Sequence, residues 1–329
     1  MTGLWVTLAV VGVLGVLGCG GILGAYFLGG GRFAGGPRFD ADLNYEASPI
    51  AMFDDLPTLV EVEPGIEKAI AHAGVDAGPG SADLLYLYRP TESAEGSLPC
   101  VFVAAAGATA FSGMGIADGD EPELLPYARA GFVVVGYETD GELKGDQSIL
   151  AVRHSFMRYR ASQAGLVNAR NAIDYALANL PEVDPDRLYT AGHSSAGSQA
   201  LLLAAHDPRI KGCVAFNSVI DNEQWLGDDF RSLVGYLPNG GDDCLRMWSP
   251  KTHEESIHCP VLFFHSEADR NVDASQSKDA ANRMKGMGKE VDLVVVPNGD
   301  HYNSMIVEGI PAAVEWLSTL AGITSSEAN

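Results

Sequence analysis

Leu188–Gly197 reads LYTAGHSSAG, an apolar run that passes through small residues into the helix-forming stretch ALLLAA at 200–205. A strand that enters a helix through so short a turn brings the two backbones almost into contact, so small side chains are required around it. Such a turn projects its central side chain, here Ser194, at the N-terminus of the helix. The pattern Gly-x-Ser-x-Gly is met at Gly192 and Ser194, but Ala196 stands at the last position and Gly197 follows it. Two other readings exist. Serine is a favoured N-cap and can serve only to start the helix. Ser195 can replace Ser194 as nucleophile, although that shift puts His193 instead of glycine two residues upstream.

Downstream, the pattern supplies partners for a serine. His301 lies in PNGDHYNS, after the strand-like VDLVVV and before a helix expected over Met305–Leu320. Among the eight histidines it is the one placed as a base, the bland alternative being a surface-loop histidine. VLFFHSEADRNV offers Asp269 as the acid that orients this imidazole, with Glu267 as its stand-in and a plain turn carboxylate as the alternative. Ser194, Asp269 and His301 each follow a successive strand-like run, and that order raises all three together.

The rest of the chain alternates strands and helices. Strands are expected at Thr58–Val62, Leu84–Tyr88, Cys100–Ala105, 132–138, 183–192, Ile210–Phe216, Pro260–Phe264 and Asp292–Val296. Helices are expected at Leu124–Ala130, Ser162–Leu180, Ser195–Ala205, Ala274–Met287 and Met305–Leu320. Strands separated by helices of this length imply an α/β domain with a mostly parallel sheet covered on both faces.

These motifs resemble the α/β-hydrolase superfamily, in particular its dienelactone-hydrolase-like and prolyl-oligopeptidase-like catalytic domains, over roughly residues 58–322. The resemblance implies a serine hydrolase in which His301 takes the Ser194 proton during attack on an ester carbonyl and water then resolves the acyl-enzyme. It implies an oxyanion hole made by the N–H of Ser195 and by one from the loop AGAT, where Ala106-Gly107 replaces the usual His-Gly and Ala108 or Thr109 becomes the donor. No metal or organic cofactor is implied. A small lid is expected over Ile220–Cys259, where Trp225, Phe230, Leu233, Tyr236, Leu237 and Trp248 either cover a pocket for small to medium acyl groups or pack the loop onto the sheet. A peptidase with the same triad and a tethered, non-catalytic binding protein are the alternatives to an esterase.

Composition limits the partners. The 43 acidic side chains against 21 basic ones give a formal charge of −22, which repels a nucleic-acid backbone in the absence of a basic stripe. The partner that the resemblance implies is a small ester or peptide substrate. The five cysteines show no paired metal spacing, and those in apolar runs read as small buried hydrophobes. Residues 4–28 carry no charge and are long enough to span a bilayer as an N-terminal transmembrane helix. An uncleaved single-pass anchor is expected there, with processing at a signal site or near Cys19 as the alternative and the membrane side open. The domain plan is an anchor over 1–31, a Gly- and Pro-rich linker over 32–57, a catalytic domain over 58–322 and a tail over 323–329.

Overall fold

In the α/β part of the chain the apolar runs are buried on both faces, as central parallel strands require. The computed structural model describes residues 55–72, 84–143, 145, 148–228, 237 and 241–323. The expected anchor, most of the linker, the tail beyond residue 323 and the lid residues Phe230, Leu233 and Tyr236 lie outside these residues. No helix among the described residues is long and apolar enough to cross a membrane.

Nine strands form one sheet among the described residues: β1 (Val60–Glu63), β2 (Ile66–His72), β3 (Leu84–Pro90), β4 (Leu98–Ala104), β5 (Val133–Tyr137), β6 (Val183–His193), β7 (Ile210–Phe216), β8 (Val261–Ser266) and β9 (Val291–Val296). Their order is β1-β2-β3-β5-β4-β6-β7-β8-β9. The pairs β1–β2, β2–β3 and β3–β5 are antiparallel, and from β5 to β9 every pair is parallel. Because the chain leaves β4 toward β5 and returns to β6 on the other side, a crevice opens beyond the carboxyl ends of β4 and β6. The loop AGAT follows β4 and the Ser194 turn follows β6, so topology alone sets them side by side.

Among the described residues the α-helices are α1 (Glu121–Arg129), α2 (Ile149–Ala161), α3 (Leu166–Asn179), α4 (Ser195–His206), α5 (Asn222–Leu226), α6 (Gly241–Met247), α7 (Ser275–Gly286) and α8 (Ile310–Ala321). One core layer packs α3, α4 and α7 on the sheet through residues such as Ile173, Leu201 and Met284. The opposite layer seats α1 and α8 through Leu124, Tyr127, Ile310 and Leu317. This is the mostly parallel sheet with helices on both faces that the resemblance to α/β-hydrolases implies.

Two local expectations are corrected. The helix expected over Ser162–Leu180 begins only at Leu166, because Gln163, Ala164 and Gly165 all adopt left-handed backbone at φ 54°, 55° and 82°. That kink separates α3 from α2, whose N-cap Ser148 accepts a hydrogen bond from the Ala151 N–H. The helix expected from Met305 opens with a π-type turn over Met305–Gly309 before α8 starts.

Candidate active site

The β6–α4 turn holds Ser194 at φ 55° and ψ −116°, a backbone that a non-glycine residue adopts only at a cost of about 1–3 kcal/mol. Its N–H donates to the Phe216 carbonyl at the end of β7, 2.9 Å away, which fixes the turn against the neighbouring strand. The need for small residues is local and steep. A Cβ on Gly192 would fall on the Ala196 carbonyl, and one on Gly197 would fall on the Ser218 hydroxyl. Ala196 itself is fully buried without such a clash, so the tight approach lies at the glycine after it.

Asp269 and His301 are brought together. His301 Nδ1 lies 2.6 Å from Asp269 Oδ2, and the aspartate side chain has no exposed surface. Its other oxygen accepts from the backbone N–H groups of Asn271 (2.8 Å) and Val272 (3.1 Å), which orients the carboxylate through its own loop. Burial opposes its charge, but the imidazoles of His265 and His301 and the Val272 N–H hold the carboxyl well below the usual carboxylate range. Glu267, the stand-in acid, is exposed and paired with Lys278. The described residues contain no hydrogen bond between His301 and Ser194 Oγ. Free hydrolases commonly tighten that contact only when substrate is bound.

Three further side chains hold His301 and Asp269 in place, and sequence reasoning passed over all of them. His193 Nε2 lies 2.8 Å from the His301 carbonyl, which can only accept, so this nitrogen carries the proton. Burial, aided by the His301 charge, pushes the His193 imidazole down to about 3 and keeps it neutral. Asn217, fully buried at the end of β7, donates to the same carbonyl at 2.6 Å and accepts from the Ser266 N–H at 3.0 Å. It thereby joins the end of β8 to the loop that carries His301. His265, fully buried, sits with Nε2 3.0 Å from the Val272 carbonyl and 3.6 Å from Asp269 Oδ2, while Nδ1 is 2.7 Å from Ser277 Oγ. The only sequence signals were adjacency: His193 precedes Ser194, Asn217 follows β7, and His265 lies four residues before Asp269.

The loop after β4 faces the turn. The N–H groups of Ala108 and Gly107 donate to Ser195 Oγ at 3.1 and 3.3 Å. Thr109 N–H instead donates to Ser112 Oγ at 3.2 Å, so of the two expected loop donors it is Ala108 that points at the Ser194–Ser195 turn. Of the expected pocket residues, Trp225 is half-buried and its Nε1 donates to the Asn271 carbonyl, 2.9 Å away, bracing the loop that carries Asp269. Trp248 is buried against Phe156 and Tyr159, with ring centroids 5.5 and 5.1 Å apart. It packs the end of α6 onto α2, with Leu237 in the same cluster.

The model of the prolyl oligopeptidase family matches residues 126–323, which contain Ser194, Asp269 and His301. An uncharacterized peptidase of Bacillus subtilis (strain 168), YuxL, is 28% identical over 139 residues, covering 40% of this chain and 21% of that protein. The chain thus matches about a fifth of that curated relative's length. An acetyl xylan esterase from Paenibacillus sp. R4 superposes with a TM-score of 0.60 at 17% identity, covering 84% of this chain and 89% of the other. The acylaminoacyl peptidase of Pyrococcus horikoshii superposes with a TM-score of 0.55 at 18% identity, covering 73% of this chain and 38% of the other. At these identities the two structures share a fold with this chain.

Proposed function

We propose, from the premise that this chain belongs to the prolyl oligopeptidase family, that this serine hydrolase cleaves esters of small to medium acyl groups through an acyl-enzyme on Ser194. The observation that carries it is the 2.6 Å Asp269–His301 pair, whose imidazole packs 4.5 Å from the ring of His193, the residue before a serine held in strained backbone at the head of α4. An imidazole whose Nδ1–H is committed to a buried carboxylate presents Nε2 as the base, and the carboxylate offsets the positive charge that forms there. Ser194 Oγ attacks the carbonyl carbon as His301 takes its proton. His301 then gives that proton to the leaving alkoxide, and water repeats the cycle on the acyl-enzyme.

The preference for esters is supported by the acetyl xylan esterase fold match, which extends over most of both chains. A panel of p-nitrophenyl esters and aminoacyl anilides tests it. Turnover highest on short acyl chains and falling toward palmitate supports a small-acyl esterase. Efficient cleavage of the anilides would make the protein a peptidase, and a rise toward palmitate would make it lipase-like. The uncharged stretch of residues 4–28 supports a membrane tether for the enzyme. A full-length chain extracted from membranes by carbonate alone would remove that part of the proposal.

A further inference from the structure

The Ser195 hydroxyl stands in an unusual electrostatic position for a side chain next to a nucleophile. Two converging backbone donors, Gly107 N–H at 3.3 Å and Ala108 N–H at 3.1 Å, occupy its lone pairs. A serine hydroxyl has two acceptor sites and one proton to give. With both acceptor sites filled, the proton is the valence that remains, and Ser195 has no acceptor for it among the described residues. The residue opens α4, where the helix N-terminus favours negative charge. Accepting two hydrogen bonds also polarises the O–H and makes it a stronger donor.

We propose that the Ser195 hydroxyl is itself a donor of the oxyanion hole, a proposal that rests on Ser194 being the nucleophile. When Ser194 Oγ bonds to the carbonyl carbon, the carbonyl π pair moves onto oxygen. The Ser195 O–H meets that oxygen together with the Ser195 backbone N–H, and its proton stays on Ser195 throughout. Gly107 and Ala108 then act through the hydroxyl, holding and polarising it. This arrangement gives the loop a role even though it lacks the usual His-Gly pair.

The test uses the full-length chain with S195A, S195T, S195V and S194A. Turnover of p-nitrophenyl butyrate, fluorophosphonate labelling located by mass spectrometry, and inhibition by a short-chain trifluoromethyl ketone are measured on each. Removal of one oxyanion donor lowers kcat by about 10²-fold. S195A is expected to show that loss with KM changed less than about threefold, and the ketone, whose adduct carries the oxyanion, should weaken in the same proportion as kcat. Ser194 should still label to one equivalent, more slowly. Threonine and valine have nearly the same shape, so S195T well above S195V supports the hydroxyl even if S195A folds poorly. S195A or S195V at or above the native kcat would overturn the proposal, since the hydroxyl would then be a plug that substrate must displace. Labelling lost in S195A but kept in S194A would overturn both this proposal and the assignment of the nucleophile.

Discussion

Asp269 Oδ2 and His301 Nδ1 meet at 2.6 Å, and the aspartate has no solvent-exposed side-chain surface. A carboxylate in this position keeps the imidazole in one tautomer, so Asp269→Asn is expected to lower kcat by about 10⁴-fold with the fold intact. Glu267 is exposed and held by Lys278, and Glu267→Gln should leave kcat within about twofold. Steady-state kinetics with circular dichroism on both variants checks this, and the reverse pattern would move the acid to Glu267.

Asn217 ties the Ser266 N–H to the His301 carbonyl from a site with no exposed surface. Asn217→Ala leaves the Ser266 N–H without its partner at about 1–3 kcal/mol and the His301 carbonyl with His193 alone, so the midpoint of urea unfolding should fall and kcat should drop at least tenfold. Its backbone sits at φ 45°, where glycine is relaxed. Asn217→Gly is therefore expected to regain part of the stability lost in Asn217→Ala and little of the activity. Recovery of both together would show that only the backbone matters.

Two buried groups make stability depend on pH in opposite directions. His193 is pushed down to about 3 by burial and by His301, whereas the unfolded imidazole titrates near 6.5. Between those values the unfolded chain binds the extra proton, so stability falls as pH drops from about 6.5 toward 3. Burial, with Asp120 nearby, pushes the Glu123 carboxyl up to about 8, so it stays protonated in the folded state while the unfolded one ionises. Its contribution is present below about 4.3 and is lost as pH rises toward 8. Each group should tilt the unfolding free energy by ~1.4 kcal/mol per pH unit in its window. Glu123→Gln should then be more stable than the native chain at pH 8 and no more stable at pH 4, as thermal unfolding at the two pH values would reveal.

The strand, turn and helix around Ser194 were legible because close backbone approach leaves a pattern of small residues in one short segment. The pairing of Asp269 with His301 was legible because each sits just past a run of apolar residues that only a buried strand tolerates. The kink at Gln163–Gly165 was not legible, since glutamine and alanine favour helix and only tertiary contacts impose left-handed backbone on them. β2 escaped for a similar reason. Its IEKAIAH is rich in helix formers, and the Pro64-Gly65 turn that pairs it with β1 was the one local cue. Apart from the nearby Val272 and Asp269, the residues that His193, Asn217 and His265 contact lie 12 to 108 positions away, and no spacing rule encodes such partners.

The central assignment is that Ser194 forms the covalent intermediate. A fluorophosphonate probe followed by peptide mass spectrometry tests it directly, because only an activated nucleophile captures the phosphorus. One equivalent of label on Ser194, absent from Ser194→Ala along with a loss of turnover by several orders of magnitude, is the expected result. Absence of label from the folded native protein, or label retained on another residue in active Ser194→Ala, would contradict it.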